Sequence, residues 1–255
     1  MTPERLRGRL LGAGLVPAWG IVLGSGFDDW LKRLTNTSAP VPFAEAAGLR
    51  PATTAGHAGR FVGGWVEDVP VAVCDGRLHL YEGLSAAEVV APVLALVGMG
   101  ASSILLTTAV GSVRADLAPG DAVAVTDQIN LTGQDPHTGR GFFPDAARLY
   151  DAGYARKLAA AGLKEGVLAG VRGPSFETRA EVAALRAMGA DMVCMSTVLE
   201  TLAAAGSGAR CAGVALVANE AGSAGVTHEE VVETVRAAAA HAWEKVRTLI
   251  LSPDG

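Results

Sequence analysis

The octapeptide Gly76-Arg77-Leu78-His79-Leu80-Tyr81-Glu82-Gly83 sets an arginine, a histidine and a tyrosine at alternate positions. It follows an apolar, strand-like run at residues 69–74, and side chains on a strand alternate between faces. If extended backbone continues, Arg77, His79 and Tyr81 line one face while Leu78 and Leu80 turn into the core. A fixed cation, a titratable donor and an aromatic hydroxyl in one row suit an anion followed by a sugar-sized polar ligand. Arginine offers such an anion a planar fork of donors. Taken alone, the same pattern also fits a half-buried edge strand with its polar face in water, which is the commoner case.

Other segments supply groups of the same kind. Gly24-Ser25-Gly26-Phe27 follows a short apolar strand at residues 19–23, and glycines there let backbone N–H groups approach an anion closely. A dinucleotide fingerprint is a poor fit, because Asp29 takes the place of the third glycine and sets a negative charge where pyrophosphate would lie. A loop for a single phosphate remains open. Gly56-His57-Ala58-Gly59-Arg60 is a glycine-framed loop, and its histidine reads equally as an anion donor or as a surface residue.

The elements that must position these groups alternate between apolar strands and helices. Residues 3–14 read as a short amphipathic helix. Residues 89–113 carry no charge and are long enough to span a bilayer, but Pro92 and Gly98-Met99-Gly100 divide them into a buried helix, a turn and a buried strand at 103–109. That strand exits into Thr107-Thr108-Ala109-Val110-Gly111-Ser112, and open α/β sheets bind ligands at the carboxyl ends of their strands. Further strands are expected at 61–66, 122–126, 166–171, 192–195 and 211–217, with helices at 150–161 and 178–188. Residues 127–148 form the longest irregular stretch and carry Phe142 and Phe143, aromatics that suggest a lid or a subunit contact. Four stretches have the S/T-x-x-E form of a capping box, beginning at Ser85, Thr178, Thr197 and Thr227. Glu177, Ser196 and His228 therefore lie within about a residue of helix N-termini, where free N–H groups and the dipole favour anions. Capping boxes on solvent loops are the plainer alternative.

Composition narrows the function classes. No linker, charge block or composition shift divides the 255 residues, so residues 1–255 read as one domain. A net charge of −5 with 18% charged residues argues against nucleic acid, which requires a basic surface. The three cysteines are scattered through apolar segments and the five histidines do not cluster. They read as reduced thiols in a cytoplasmic protein with no metal site. Arg5, Arg7 and Arg9 before an apolar run give a weak signal-peptide likeness, which Pro17 and the glycines interrupt.

Six segments, in order and at similar spacing, resemble the trimeric purine nucleoside phosphorylases, whose fold also includes methylthioadenosine phosphorylases. They are Gly24-Ser25-Gly26, Gly56 to Arg60, Gly76 to Gly83, Gly173-Pro174-Ser175-Phe176-Glu177-Thr178, Gly189 to Thr197, and Asn219. The resemblance implies an α/β fold, a single domain with a mixed, partly barrel-like β-sheet flanked by helices. It implies reversible phosphorolysis of purine ribonucleosides or deoxyribonucleosides to free base and α-pentose-1-phosphate, with phosphate as co-substrate and no cofactor. Carried over by position, Ser25, His57, Arg77, His79, Ser196 and the backbone N–H of Ala109 would hold phosphate. Tyr81, Met195 and His228 would hold the sugar, and Phe176, Glu177, Val193 and Asn219 the base. Phe143 matches the aromatic that such proteins extend into a neighbouring subunit's sugar site, which implies a homotrimer.

The chemistry of those residue types agrees. Cleaving the glycosidic bond leaves positive charge on the sugar and negative charge on the purine. A phosphate dianion beneath C1′ stabilises the first and is itself the nucleophile. Asn219 can donate to purine N7, His228 to the 5′-hydroxyl, and ionised Glu177 accepts from N1–H. A carboxylate there selects 6-oxopurines such as inosine and guanosine, because adenine presents a lone pair at N1. His79, Glu177, Asn219 and His228 are thus the expected catalytic set. Departures from the pattern are Val110 and Ser112 beside the central strand, Ala218, Glu220, and a shorter loop around Phe143. The nearest rival is a methylthioadenosine or adenosine phosphorylase, and a catalytically silent nucleoside-binding protein is a rival of another class.

Overall fold

The computed structural model describes residues 1–46, 49–54 and 57–252. Its strands are β1 (Trp19–Leu23), β2 (Val41–Pro42), β3 (Arg60–Val66), β4 (Val69–Asp75), β5 (Ser103–Ser112), β6 (Ala122–Asn130), β7 (Lys164–Gly170), β8 (Met192–Cys194) and β9 (Arg210–Glu220). They form one mixed sheet in the order β2-β3-β4-β1-β5-β8-β7-β6-β9, and β9 returns to pair with β5. Five strands, β5 to β9, therefore close on themselves, and the other four extend from the outside of β5. The expected mixed, partly barrel-like sheet is what the chain builds.

Strand β5 is the hinge of this arrangement. One edge pairs in parallel with β9 along its length. The other edge is shared: Ser103–Leu106 pair in parallel with β1, whereas Gly111 and Ser112 pair antiparallel with β8. Between Leu106 and Gly111 that edge leaves both neighbours, and the parting opens a cleft at the strand's carboxyl half. An unpaired stretch of buried backbone needs other partners, and here functional side chains supply them.

Helices α1 (Pro3–Leu11), α2 (Ala86–Val89), α3 (Ala91–Gly98) and α6 (Val198–Gly206) cover one face of the sheet. Helices α4 (Ala152–Ala160) and α7 (His228–Leu251) cover the other. Period-2 alternation divides β5 between the two cores, Ile104 and Leu106 facing one and Leu105 the other. Both faces are dry, which explains why β1 and the first half of β5 read as unbroken apolar runs. The uncharged stretch at 89–113 is α3, a turn and β5, and among the described residues no helix is long and apolar enough to cross a membrane.

The expected helix starts are present. Ser85, Thr178 and Thr227 each accept from the N3 backbone N–H, while Glu88, Glu181 and Glu230 accept from the cap N–H. The last two boxes open α5 (Arg179–Ala187) and α7. Strands β5, β6 and β9 run longer than their apolar cores suggest, because ladder pairing carries the backbone on into polar sequence.

Candidate active site

The cleft beside β5 holds a cavity of roughly 290 Å³. Its lining gathers Ser25, His57, Arg77, His79, Tyr81, Ala109, Phe176, Glu177, Val193, Met195, Ser196, Asn219 and His228. Every residue expected at the site is thus in one place except Phe143, which stands 93% exposed on its loop. Its neighbour Phe142 packs edge-on against His137. Gly56 lies outside the described residues, but His57, Ala58, Gly59 and Arg60 do not.

The Arg77–His79–Tyr81 row reaches the cavity by a route other than a continued strand. Strand β4 ends at Asp75, Gly76 turns with φ +97°, and Leu80–Glu82 form a 3-10 turn. A Cβ at Gly76 would lie 2.8 Å from the Cβ of His57, so this residue must be glycine both for its φ and for its neighbour. Leu78 and Leu80 are buried in the core as alternation requires.

Arg77 sits at the inner end and is 1% exposed. Its Nη1 donates to the Thr107 carbonyl at 2.7 Å, one of the backbone groups freed by the parting of β5, and to Ser196 Oγ at 3.3 Å. Its Nε lies 3.2 Å from Glu200 Oε2, an ion pair with both side chains buried. Neither Nε nor Nη2 makes a hydrogen bond among the described residues, so Nε meets Glu200 as an ion pair. Buried N–H groups without a partner are uncommon, and here they belong to a residue that lines the cavity. Thr108 Oγ1 lies 3.1 Å from Ser196 Oγ. Gly24 backs the guanidinium, where a Cβ would lie 2.8 Å from the Thr107 oxygen and 3.1 Å from Arg77 Nη1.

Two histidines flank this end. Ser25 Oγ lies 3.4 Å from His57 Nε2, and the two imidazoles stand 5.2 Å apart. Burial pushes the His57 pKa well below its usual value, and the neighbouring His79 and Arg77 add to the effect. Burial also lowers the pKa of His79, against the opposing pull of Glu82. Burial would raise the Glu82 carboxyl, but hydrogen bonds from His79 and Thr53 outweigh it and hold the pKa at about 2. Glu82 is therefore a carboxylate, and it lies 3.1 Å from His79 Nδ1 and accepts from the His79 N–H at 2.8 Å. The Nδ1 proton is thereby assigned. Tyr81 stacks on His79 with ring centroids 4.5 Å apart.

The outer end is looser. Phe176 is 44% exposed. Burial raises the pKa of Glu177, and the nearby Glu181 adds to it. Asn219 Nδ2 donates to the Glu220 carbonyl at 2.9 Å. His228 is the first residue of α7, and Glu177 and Ser196 precede the caps of α5 and α6. The three helix ends converge on one cavity, which capping boxes on separate solvent loops would not do.

Sequence reading missed Glu200, Glu82, Thr54 and Thr108. Glu200 carried a signal that pointed elsewhere. It completes the Thr197 box, yet it lies in the apolar run of α6 and is 1% exposed. A carboxylate so buried requires a cation, and Arg77 is that cation. Glu82 ends the octapeptide, but only the 3-10 turn brings it back onto His79. Thr54 had no local signature, and Thr108 was singled out only as part of the strand exit at 107–112.

The cavity thus has a buried, charged inner end and a half-exposed outer end. The family profile described as "Phosphorylase superfamily" matches residues 19–251. The chain belongs to the phosphorylase superfamily. This phosphorylase is 43% identical over 227 residues to the purine nucleoside phosphorylase of Mycobacterium tuberculosis, covering 87% of this chain and 83% of the relative. It is 34% identical to purine nucleoside phosphorylase 1 of Bacillus subtilis, covering 92% of each. With the bovine purine nucleoside phosphorylase it shares 31% identity over 92% of this chain and 89% of the relative.

Proposed function

We propose that this protein is a purine nucleoside phosphorylase, a pentosyltransferase that cleaves 6-oxopurine ribonucleosides or deoxyribonucleosides with inorganic phosphate. The observation that carries the reading is the sharing of one cavity by Arg77 and Ser196 with Glu177 and Asn219. The first pair suits an oxyanion and the second a purine edge, and a pentose spans the space between. The purine nucleoside phosphorylases at 43% and 34% identity support it.

In this reading phosphate lies against Arg77 Nη2, Ser25, His57, Ser196 and the Ala109 N–H. His79, with Nδ1 committed to Glu82, offers the lone pair of Nε2 to the P–O–H of hydrogenphosphate. The bound dianion faces C1′ of a sugar held by Tyr81, Met195 and His228, and stabilises the cationic carbon that it then attacks. Asn219 turns from Glu220 to donate to N7 of the departing purine, whose N1–H donates to Glu177. That hydrogen bond favours the ionised carboxylate and so offsets the burial that raises its pKa. Phe176 and Val193 bracket the ring. No cofactor takes part. The proposal extends to a cytoplasmic homotrimer in purine salvage, with the exposed Phe143 closing the sugar site of a neighbouring copy.

The test is the release of hypoxanthine from inosine, by protein made in a host that lacks its own phosphorylase. Release should require phosphate and yield pentose-1-phosphate. Release indifferent to phosphate would refute the reading, and higher efficiency with methylthioadenosine than with inosine would move the substrate class.

A further inference from the structure

His57 reaches the inner end of the cavity on a segment that is fastened at a residue outside it. Ala52 and Gly59 stand side by side, since a Cβ at Gly59 would lie 3.0 Å from that of Ala52. On the far side of His57 the Gly59 N–H donates to the Asp75 carbonyl at the end of β4, at 2.9 Å. On the near side Thr53 makes the tie: its N–H and its hydroxyl both donate to Glu82 Oε2, at 2.9 and 2.5 Å. The next residue passes this tie on, because the Thr54 carbonyl accepts from the His57 N–H at 3.2 Å. Glu82 divides its oxygens accordingly, Oε1 serving His79 and Oε2 serving Thr53. The ring of His57 is not held by bonds of its own: Nδ1 is buried with no hydrogen-bond partner among the described residues, and Nε2 stands 3.4 Å from Ser25 Oγ. Its placement therefore falls to the backbone that carries it.

We propose that Thr53 is a positioning residue for phosphate: its hydroxyl docks the His57 segment onto the Glu82 carboxylate and so sets the imidazole against the anion. The inference rests on the phosphate assignment made above. Burial keeps His57 neutral near pH 7. A neutral imidazole holds an anion only through a directed N–H, so a small displacement of the ring costs the whole contact. Thr53 is exposed and does not line the cavity, whereas the Glu82 side chain is 5% exposed. A carboxylate so far withdrawn from water requires donors, and Thr53 supplies two of them.

Thr53→Val keeps the shape and the N–H and removes the hydroxyl, whereas Thr53→Ser keeps both donors. With inosine as the nucleoside, Thr53→Val should raise the phosphate KM about tenfold, the value of one hydrogen bond to a charged group, and change the inosine KM far less. Thr53→Ser should stay within about twofold of wild type. Because the effect is exerted through His57, adding Thr53→Val to His57→Ala should raise the phosphate KM no further. An unchanged phosphate KM in Thr53→Val, or an equal loss in Thr53→Ser, would overturn the proposal. So would a full additional rise in the double variant, which would route the effect through Glu82 and His79 instead. Should Thr53→Val fail to fold, Thr53→Ala removes the same hydroxyl and is held to the same outcomes. His57→Ala alone tests the underlying assignment: an unchanged phosphate KM there would remove His57 from the phosphate site and this proposal with it, whereas additivity in the double variant would overturn the role of Thr53 and leave the site standing.

Discussion

The two ends of the cavity are built on different plans. At the inner end Arg77, Ser196, Thr108 and Glu200 are tied to one another and to backbone freed by β5, and both charged groups are almost wholly buried. At the outer end Phe176 is half exposed, and Asn219 is satisfied by its own neighbour's carbonyl. Phe176 and Glu177 also line a second hollow of roughly 400 Å³, walled by Leu131, Val171, Leu185 and Met188. An end that always receives the same small anion gains from groups ordered in advance, since ordering is then not charged against binding. An end that receives a leaving base must let it in and out, and its groups take up their reacting arrangement with the ligand.

The contrast is open to test. The largest effect should come from the inner end. Arg77→Met is expected to lower kcat/KM about a thousandfold or more, as loss of a charged donor at a reacting group does. It should also destabilise the fold by roughly 3–5 kcal/mol, because Glu200 is left buried and unpaired; steady-state kinetics and chemical denaturation measure the two. Next, Asn219→Ala and Glu177→Ala should each lower inosine turnover about a hundredfold while leaving the phosphate KM near that of wild type. Near-normal guanosine kinetics in Glu177→Ala would show that the base contact is misassigned. Gly24→Ala should raise the phosphate KM about tenfold by pushing the Arg77 guanidinium off its seat, with little change in the inosine KM. The smallest effect is expected at the open end, where Phe176→Ala should raise the nucleoside KM only about threefold to tenfold.

How far the sequence disclosed this contrast depends on the range of the signals. The capping boxes, β1 and the Arg77–Tyr81 row were legible because each is local: a cap needs two residues three apart, and a face needs alternation. The parting of β5 was not legible, since which edge pairs with β1 and which with β8 is settled by strands far off in the chain. That parting frees the Thr107 carbonyl that seats Arg77. Glu200 was read as the end of a cap, and its ion pair with Arg77 appears only when α6 packs against the row. Phe143, read as part of a lid or a subunit contact, is covered by nothing among the described residues.

Protonation gives a check that involves no ligand. The folded pKa values of His57 and His79 lie below their usual value of 6.5, so the unfolded chain binds more protons near that pH. Stability should therefore fall as pH drops through 6.5. Glu177, with a raised folded pKa, contributes in the opposite sense above its usual 4.5. Glu82, at about 2, adds stability that is lost as pH falls below 4.5. Urea denaturation of wild type and His57→Asn between pH 5 and 8 should show a flatter dependence in the variant, and identical slopes would mean that His57 is not held neutral by burial.

The most direct measurement is a crystal structure of the protein with phosphate and hypoxanthine bound together. The account expects phosphate within hydrogen-bond distance of Arg77 Nη2 and Ser196 Oγ, with the purine N1–H on Glu177 and Asn219 rotated onto N7. Phosphate bound away from Arg77, or a purine seated outside the cavity that Glu177 and Asn219 line, would contradict it.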